Sequence, residues 1–387
     1  MRDVAIIGVG LTKFGERWNL GMRELMAEAG LAALEDANIS SRDVEMLFGG
    51  TMAPGSFMEQ EHTATLIADQ LGFHNIPAVR VENACASGGS ALRLGYITVA
   101  SGIHDIVVVG GVEKMTDITA SAATTALGGA GDQEWELAQG ITFPGLYALI
   151  AKRHMHEYGT TEEQLASVAV KNHENASKNE FAQFKNKISI EDVMKSKLIA
   201  DPIKLLDCSP ISDGAAVIVL APLENARKYN DTPIKIIASA QASDTLRLAD
   251  RESATELKAT RLAAQNAYKQ ANVSTRDIDV LEVHDCFTIA EVLAMEDLGF
   301  YEKGKAAKAI ADGETALNGK VSVNTSGGLK GCGHPVGATG VKQAVEVTWQ
   351  LRGDAKTRQV SGAEIGMTHN VGGSGATAVV HVFKRGD

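Results

Sequence analysis

The sequence predicts an α/β fold built from two similar strand-helix-strand-strand-helix-strand units, each closed by a further strand and packed together in five layers, with a loop domain inserted into the first half. Residues 37–45 read ANISSRDVE and residues 271–279 read ANVSTRDID, and a repeat of this kind indicates a duplicated unit. Strand-like and helical segments alternate in the same order around both copies, which is typical of layered α/β proteins. Residues 116–210 have no counterpart in the second half and form the predicted insertion.

Matched segments define the elements and the boundaries. The first predicted strands are DVAIIGVG and PIKIIASA, and helices follow at about 20–36 and 254–270. Later segments match in pairs: AVRVENACASGG with KVSVNTSGG, DIVVVGGVEKM with EIGMTHNVGG, and GAAVIVLAP with ATAVVHVF. We therefore assign the N-terminal half to residues 1–115 and 211–230, the inserted loop domain to 116–210 and the C-terminal half to 231–387.

Composition and charge disfavour several classes of protein. The chain has 387 residues and a formal net charge of −11, which argues against nucleic acid or an anionic membrane as a partner. It shows neither a signal-peptide pattern nor an apolar run of about 18 residues, so we expect a cytoplasmic protein. Its four widely spaced cysteines favour reduced thiols. Gly8 and Gly10 begin a dinucleotide-binding pattern, but Lys13 stands at its third glycine, so no nicotinamide cofactor is predicted.

Cys85 lies where a predicted strand, ending near Asn83, gives way to a predicted helix at about 86–100. Free N–H groups and the dipole at a helix start favour the thiolate form of a cysteine, and a thiolate is a nucleophile. Gly88 and Gly89 have no side chains, so another backbone can pack closely against this helix. The alternative is that Cys85 is a buried small hydrophobic side chain.

The second half supplies further reactive side chains at the ends of predicted strands. LEVHDCFT contains His284 and Cys286, which would share one face of an extended backbone. SGGLKGCGHPVGATG contains His334, and THNVGGSGA contains His369. Ligand sites in open α/β sheets lie at the carboxyl ends of strands, so we expect these groups to meet.

Structural interpretations of these residues remain open at this stage. The histidines could be buried and satisfied, and Asp285 is expected to cap a helix at 286–298. Cys208 is expected to be structural, and Cys332 is expected to be a bystander in its glycine turn. A further alternative is a zinc site, because zinc prefers such donors, with the ligands His284, Cys286, Cys332 and His334.

Together these motifs resemble those of the thiolase family. NACASGG resembles the nucleophile motif, VVVGGVEKMT the glycine strand and GGLKGCGHPVGATG the histidine loop. The likeness extends over essentially the whole chain, including the duplication and the insertion, and it implies βαβαβαββ halves in a five-layer αβαβα arrangement. HDCF, where most thiolases have an Asn-Glu-Ala-Phe motif, is similar to the sterol-carrier-protein-type and archaeal acetoacetyl-CoA thiolases.

The resemblance implies an acetyl-CoA C-acetyltransferase, which condenses two acetyl-CoA molecules to acetoacetyl-CoA and CoA through an acetyl-cysteine. Cys85 would be the nucleophile, His334 would accept its proton, and Cys286 would remove the α-proton of the second acetyl-CoA. His284 and His334 would bind the enolate oxygen. The backbone N–H groups expected to bind the tetrahedral intermediate are those of Cys85 and of Val371 or Gly372.

One position departs from the family pattern. Most thiolases carry a second catalytic cysteine before the C-terminal glycine run, and here we place His369 at that position. This departure is the reason for assigning the base to Cys286. His369 and Asn324 are the candidates for supporting roles.

The resemblance also implies ligands and partners. It implies acetyl-CoA and CoA as ligands, no other cofactor, no metal, and a homodimer or homotetramer. The product would enter the mevalonate pathway through hydroxymethylglutaryl-CoA synthase, bridged to the thiolase by a small acyl-CoA-binding protein with an OB-fold and a zinc ribbon. Two alternatives are a degradative 3-ketoacyl-CoA thiolase of longer chains and a non-catalytic thiolase-like subunit that binds acyl-CoA.

Overall fold

A computed structural model describes residues 1–386 of the chain. Its strands are Val4–Leu11 (β1), Met46–Gly50 (β2), Ala78–Val81 (β3), Val107–Glu113 (β4), Leu198–Ala200 (β5), Ile203–Lys204 (β6), Gly214–Pro222 (β7), Ile234–Ser243 (β8), Val280–Glu282 (β9), Ser322–Val323 (β10), Ile365–Gly372 (β11) and Thr377–Arg385 (β12).

The helices alternate with these strands, as expected for the α/β class. They are Met22–Asp36 (α1), Pro54–Met58 (α2), Thr63–Gln70 (α3), Ser87–Ser101 (α4), Ala120–Gly128 (α5), Phe143–Tyr158 (α6), Glu162–Ser177 (α7), Ile190–Lys195 (α8), Leu223–Ala226 (α9), Lys258–Ala271 (α10), Thr288–Asp297 (α11), Ala306–Ala311 (α12), Gly328–Cys332 (α13) and Thr339–Arg352 (α14).

Ten strands form one mixed sheet whose two five-stranded parts belong to the two halves. The N-terminal part has the order β1-β7-β4-β2-β3, and the C-terminal part has the order β10-β9-β11-β12-β8. The parts join where β1 pairs with β8, from Val4–Ile236 to Ile6–Ile234. This pairing has three residue pairs, compared with nine between β8 and β12, so the two parts of the sheet are joined along a short stretch only.

Helices α4 and α14, one from each half, pack together between the two parts of the sheet. Glycines let their backbones approach: a Cβ on Gly88 would lie 2.6 Å from the Gly337 carbonyl oxygen, and one on Gly340 would lie 2.2 Å from the Gly89 nitrogen. The two helices share one buried apolar cluster with both parts of the sheet. Helices α1 and α10 belong to the apolar clusters of the outer faces. The predicted five layers are therefore confirmed.

The duplication is visible in the local structure of both copies. Asn38 (φ +51°) and Asn272 (φ +54°) turn the chain into the left-handed region after α1 and α10. In Ser40–Asp43 and again in Ser274–Asp277, the serine N–H and hydroxyl both donate to the aspartate, at 2.8 and 2.7 Å. The repeated sequence therefore folds into the same capped turn twice.

The predicted insertion contains helices α5 to α8 and a small hairpin of β5 and β6. Helix α7 packs on α13 and α11, and α6 also packs on α11, so the insertion covers the ends of C-terminal elements that carry predicted site residues. No helix within residues 1–386 combines the length and the apolar character needed to cross a bilayer.

Candidate active site

The turn between β3 and α4 presents Cys85. Ala84 adopts a left-handed φ of +49°, a conformation that costs a non-glycine residue about 1 kcal/mol or more. Hydrogen bonds hold this turn: the Ser87 hydroxyl donates to the Ala84 carbonyl at 2.6 Å and accepts the Asn83 N–H at 2.9 Å. The Cys85 side chain lines a cavity next to the turn.

Cys85, His284 and His334 form a compact buried cluster. One nitrogen of each imidazole and the Cys85 sulfur all lie within 4.8 Å of one another. The two imidazole rings meet edge to face, with centroids 5.1 Å apart. Cys286 lines the same cavity as Cys85 and His334. The structure therefore brings together the four side chains expected to be catalytic, from both halves of the chain.

His334 is oriented by Thr339, the first residue of α14. Nδ1 of His334 lies 2.7 Å from the Thr339 hydroxyl, and that hydroxyl donates its proton to the Pro335 carbonyl at 3.0 Å. From these contacts we assign the proton of the imidazole to Nδ1, which leaves a lone pair on Nε2. Nε2 is buried and has no hydrogen-bond partner among the described residues. His334 therefore offers a base beside Cys85.

His284 is oriented by Asn370, on β11. The Asn370 amide oxygen accepts the Gly89 N–H at 3.1 Å. Its NH₂ group therefore donates to the Cys85 carbonyl at 2.9 Å and to Nδ1 of His284 at 3.1 Å. By this assignment Nε2 of His284 carries the proton, and it too is buried without a partner in the described part of the chain. Such a donor is suited to binding an oxyanion.

His369 is turned away from Cys85, and the supporting role expected for it stays a prediction. Adjacent residues of a strand point to opposite faces, and His369 faces α10, where its Nε2 lies 2.9 Å from the Thr260 hydroxyl. Asn370, the next residue, faces Cys85 and His284 instead. Counting back from the glycine run places a strand residue only to within one position. An error of one position assigns its side chain to the wrong face of the sheet.

Gly373 is a further candidate for the second backbone donor, besides the expected Val371 and Gly372. Val371 and Gly372 lie within the ladder between β11 and β12. Gly373, just after β11, lines the cavity with Cys85, and the backbone N–H groups of Gly373 and of Cys85 itself lower the pKa of that thiol. Gly373 has a φ of +62°, which favours glycine. The N–H groups of Cys85 and Gly373 therefore form the candidate oxyanion site.

Burial keeps the reactive groups neutral in the resting site. It raises the pKa of Cys85 to about 12, despite the two N–H contacts, and it also raises the pKa of Cys286. It lowers the pKa of His334 to about 3. The thiolate expected at Cys85 is therefore not the resting form, because removing the sulfur from water outweighs the local donors. Ionisation of Cys85 has to accompany proton transfer to His334.

A cavity of about 190 Å³ lies beside this cluster. Its lining includes Cys85, Cys286, His334 and Gly373. Much of the remaining lining comes from the insertion and the residues next to it, and it is largely apolar. Its apolar members include Met115, Leu127, Phe143, Pro144 and Ile211. The insertion therefore shapes the space in which a substrate would react.

Sequence reasoning missed Tyr147, Thr339, Asn370 and Gly373. Tyr147 lies in α6, lines the cavity and stacks on Phe287 with ring centroids 4.5 Å apart. No motif in the insertion points to it. Asn370 could have been found from the alternation of faces along β11, which puts residues 369 and 370 on opposite sides. Thr339 could have been found because it lies five residues after His334, at the start of a predicted helix.

Asn324 and Asp285 lie behind the site. Asn324 accepts the Val283 N–H at 2.9 Å and donates to Glu291 at 2.8 Å, so it holds the backbone that leads to His284. Asp285 accepts the N–H groups of Leu329 and Lys330, at 2.6 and 3.1 Å. Asp285 therefore caps α13 and not the helix at 286–298, because the loop after β9 passes over the start of α13.

The two remaining cysteines differ in position. Cys332 is fully buried and lies 3.7 Å from the Asn179 amide nitrogen, whereas Cys208 lines the wall of the cavity.

Within residues 1–386, the histidine, cysteine and carboxylate atoms close enough to share one metal ion are those of Cys85, His284 and His334. The four-ligand zinc set considered from the sequence therefore does not come together.

Comparison with known proteins identifies the family. A family model described as "Thiolase, N-terminal domain" matches residues 4–224, and one described as "Thiolase C-terminal domain-like" matches residues 240–385. The chain belongs to the thiolase family.

Individual relatives refine this assignment. The acetyl-CoA acetyltransferase of Methanothermobacter thermautotrophicus is 58% identical over 385 residues, which cover 100% of both chains. Sterol carrier protein 2 of Gallus gallus is 34% identical over 392 residues, covering 98% of this chain and 71% of that protein. A solved structure described as "Ltp2-ChsH2(DUF35) aldolase" is 28% identical with a TM-score of 0.85, covering 99% of this chain and 98% of the other. The chain is an acyltransferase, and the resemblance to archaeal and sterol-carrier-protein-type relatives is confirmed.

Proposed function

We propose that this chain catalyses the condensation of two acetyl-CoA molecules to acetoacetyl-CoA and CoA, and the reverse cleavage. The observation that carries this proposal is that Cys85, His334 and Cys286 line one cavity and that His284 clusters with Cys85 and His334. A thiol beside a base can accept an acyl group, and a second thiol can take the proton of a carbon acid. The high identity to an archaeal acetyl-CoA acetyltransferase supports acetyl-CoA as the substrate.

In the first half of the reaction, Cys85 attacks the thioester carbonyl of acetyl-CoA while its proton passes to Nε2 of His334. The N–H groups of Cys85 and Gly373 bind the oxyanion of the tetrahedral intermediate. The C–S bond to CoA then breaks, and the leaving thiolate takes the proton of Cys286. The site now holds acetyl-Cys85, the His334 imidazolium and the Cys286 thiolate.

In the second half, the Cys286 thiolate removes an α-proton from another acetyl-CoA, while N–H groups of His284 and His334 bind the enolate oxygen. The carbanion attacks the acetyl carbonyl on Cys85 and forms the new C–C bond. Collapse releases acetoacetyl-CoA and the Cys85 thiolate, which takes a proton from His334. Both thiols are then protonated again, which agrees with their raised pKa values in the resting site.

Two measurements test this proposal: acetoacetyl-CoA thiolysis followed by absorbance, and the intact mass of the protein after mixing with acetyl-CoA. We expect turnover and one acetyl group on Cys85. In Cys286→Ala, acetylation should remain measurable because the CoA thiolate can leave without an acid, whereas condensation should fall roughly 10²- to 10⁴-fold. Equal loss of both steps would reject this division of roles. Absence of turnover with any acyl-CoA would favour the non-catalytic alternative.

A degradative thiolase of longer chains is the second candidate, and the apolar wall of the cavity favours it. Met115, Leu127 and Phe143 would all contact an acyl chain that extends from Cys85. A series of 3-ketoacyl-CoA substrates of increasing length separates the two functions. Highest kcat/KM for acetoacetyl-CoA supports the first, and a maximum at a longer chain supports the second.

The mevalonate pathway, the cytoplasmic location, the homo-oligomer and the acyl-CoA-binding partner stay predictions. The similar solved structure described as "Ltp2-ChsH2(DUF35) aldolase" contains a DUF35 component besides its thiolase-like chain, and this supports a search for a partner of the present chain. Purification of the tagged chain from its native cells, followed by light scattering and mass spectrometry, tests the oligomeric state and the partner together.

A further inference from the structure

Tyr147 is a buried polar side chain of the insertion that the steps above leave without a role. It is 1% exposed, and its hydroxyl donates to the Gly373 carbonyl at 3.2 Å. Tyr147 and Cys286 line the same cavity, and the hydroxyl lowers the pKa of the Cys286 thiol. Stacking on Phe287, the residue after Cys286, holds the phenol ring in this position.

A thiolate formed at Cys286 would need a hydrogen-bond donor. Cys286 is 7% exposed, and burial of an ionised group is unfavourable unless polar groups replace the lost water. The Tyr147 hydroxyl has one proton, which it can give to the Gly373 carbonyl or to the sulfur of Cys286. Hydrogen bonds to ionised acceptors are roughly twice as strong as those between neutral groups, so ionisation of Cys286 would draw this proton to the sulfur.

We propose that Tyr147 is a catalytic residue whose hydroxyl donates a hydrogen bond to the Cys286 thiolate, favours the formation of this base from the thiol and thereby promotes transfer of the substrate α-proton. The phenol stays protonated throughout, since burial raises its pKa well above the ordinary value. The Cys286 sulfur alone takes the α-proton, and the hydroxyl then returns to the Gly373 carbonyl. This inference rests on the proposed function, because it assigns the base to Cys286.

The test compares two steps in Tyr147→Phe, which keeps the ring and its stacking but lacks the hydroxyl. Rapid quench and intact mass follow acetylation of Cys85, and NMR follows deuterium exchange into the methyl group of acetyl-CoA in D₂O. We expect exchange to fall about 10- to 100-fold, the usual effect of losing a hydrogen bond to a charged group, while acetylation is nearly unchanged. If exchange stays at the wild-type rate, or if both steps fall equally, the proposal is wrong.

Tyr268→Phe is the matched control. The Tyr268 hydroxyl also donates to a backbone carbonyl, that of Leu298, at 2.8 Å, and Tyr268 belongs to α10. We expect both steps to proceed at the wild-type rate in this variant. A selective loss of exchange in Tyr268→Phe as well would mean that any buried tyrosine hydroxyl has this effect, which would overturn the specific role of Tyr147.

A labelling experiment separates this inference from the proposed function. With Cys85→Ala as background, the rate of iodoacetamide alkylation at Cys286 follows its thiolate fraction. Adding Tyr147→Phe should lower this rate about 3-fold or more, because the loss of thiolate outweighs the gain in nucleophilicity. A wild-type chain that forms no acetyl-enzyme would reject the proposed function but leave this measurement valid. An unchanged alkylation rate would reject the role of Tyr147.

Discussion

The two halves contain the same strand-to-helix turn and use it differently. In the N-terminal half, Ala84 (φ +49°) follows β3 and Cys85 comes next; in the C-terminal half, Asn324 (φ +53°) follows β10 and Thr325 comes next. Cys85 lines a cavity, whereas Thr325 is enclosed and its hydroxyl lies 3.1 Å from the Glu346 carboxylate. One backbone turn therefore presents a thiol to a cavity in one half and joins a buried polar network in the other.

The surroundings of each turn account for this difference. Beside the second turn, the ion pairs Glu282–Lys342 at 3.1 Å and Glu346–Arg358 at 2.9 Å fill the interior. Beside Cys85 there is instead a cavity of about 190 Å³ whose wall comes largely from the insertion. Duplication thus accounts for the turn, and the insertion accounts for the space in which a substrate would fit.

The largest effect is expected from removing the side chain presented by each turn. Cys85→Ala should abolish acetyl-enzyme formation and lower thiolysis by about 10⁴-fold or more, as loss of a nucleophile usually does. Thr325→Ala, the matched change in the other half, should keep acetylation and turnover but lower the free energy of unfolding by about 1 kcal/mol. Intact mass and thermal unfolding check both variants. Loss of acetylation in Thr325→Ala would show that the two turns are not functionally distinct.

A second difference concerns two carboxylates at strand ends. Glu113, at the end of β4, accepts the N–H groups of Met52 at 2.8 Å and Gly337 at 3.1 Å, whereas Glu282, at the end of β9, pairs with Lys342. Burial raises the pKa of Glu113 to about 7 from an ordinary value of 4.5. The native state therefore binds more protons than the unfolded state between these two values.

It follows that the contribution of Glu113 to stability is complete below about pH 4.5 and is lost as the pH rises through about 7. The loss amounts to about 3 kcal/mol. We expect Glu113→Gln to remove this part of the pH dependence, as measured by urea unfolding at about pH 5 and about pH 8. If the wild type and Glu113→Gln lose equal stability between these pH values, the carboxyl does not titrate as described.

The smallest effect is expected at the first residues of the two central helices. Ser87 begins α4, and its hydroxyl donates a hydrogen bond to the Ala84 carbonyl. Thr339 begins α14, and its hydroxyl accepts a hydrogen bond from Nδ1 of His334. Thr339→Val should lower kcat about 10-fold with little change in KM, because the orientation of His334 is no longer held. Thr339→Ser keeps the hydroxyl and should restore most of the activity. Equal losses in the two variants would assign the effect to packing.

Much of the fold and part of the candidate site were accessible from the sequence. The repeated nine-residue segment reported the duplication, and the helices predicted at about 20–36 and 86–100 are α1 and α4. Cys85, His284, Cys286 and His334 were expected to meet because strand ends gather at one edge of a sheet, and in the structure they do. These features depend on local periodicity and on motifs, which are properties of the chain itself.

Other features depended on how distant segments pack. The choice of Asn370 over His369 depends on which face of β11 meets α4, and the neutral state of the Cys85 thiol depends on how much water the folded site excludes. Tyr147 reaches Cys286 only because α6 packs over the C-terminal half. Long-range contacts decide which way a side chain faces, how deeply it is buried and how much water surrounds it. These properties of the site therefore became visible only in the tertiary structure.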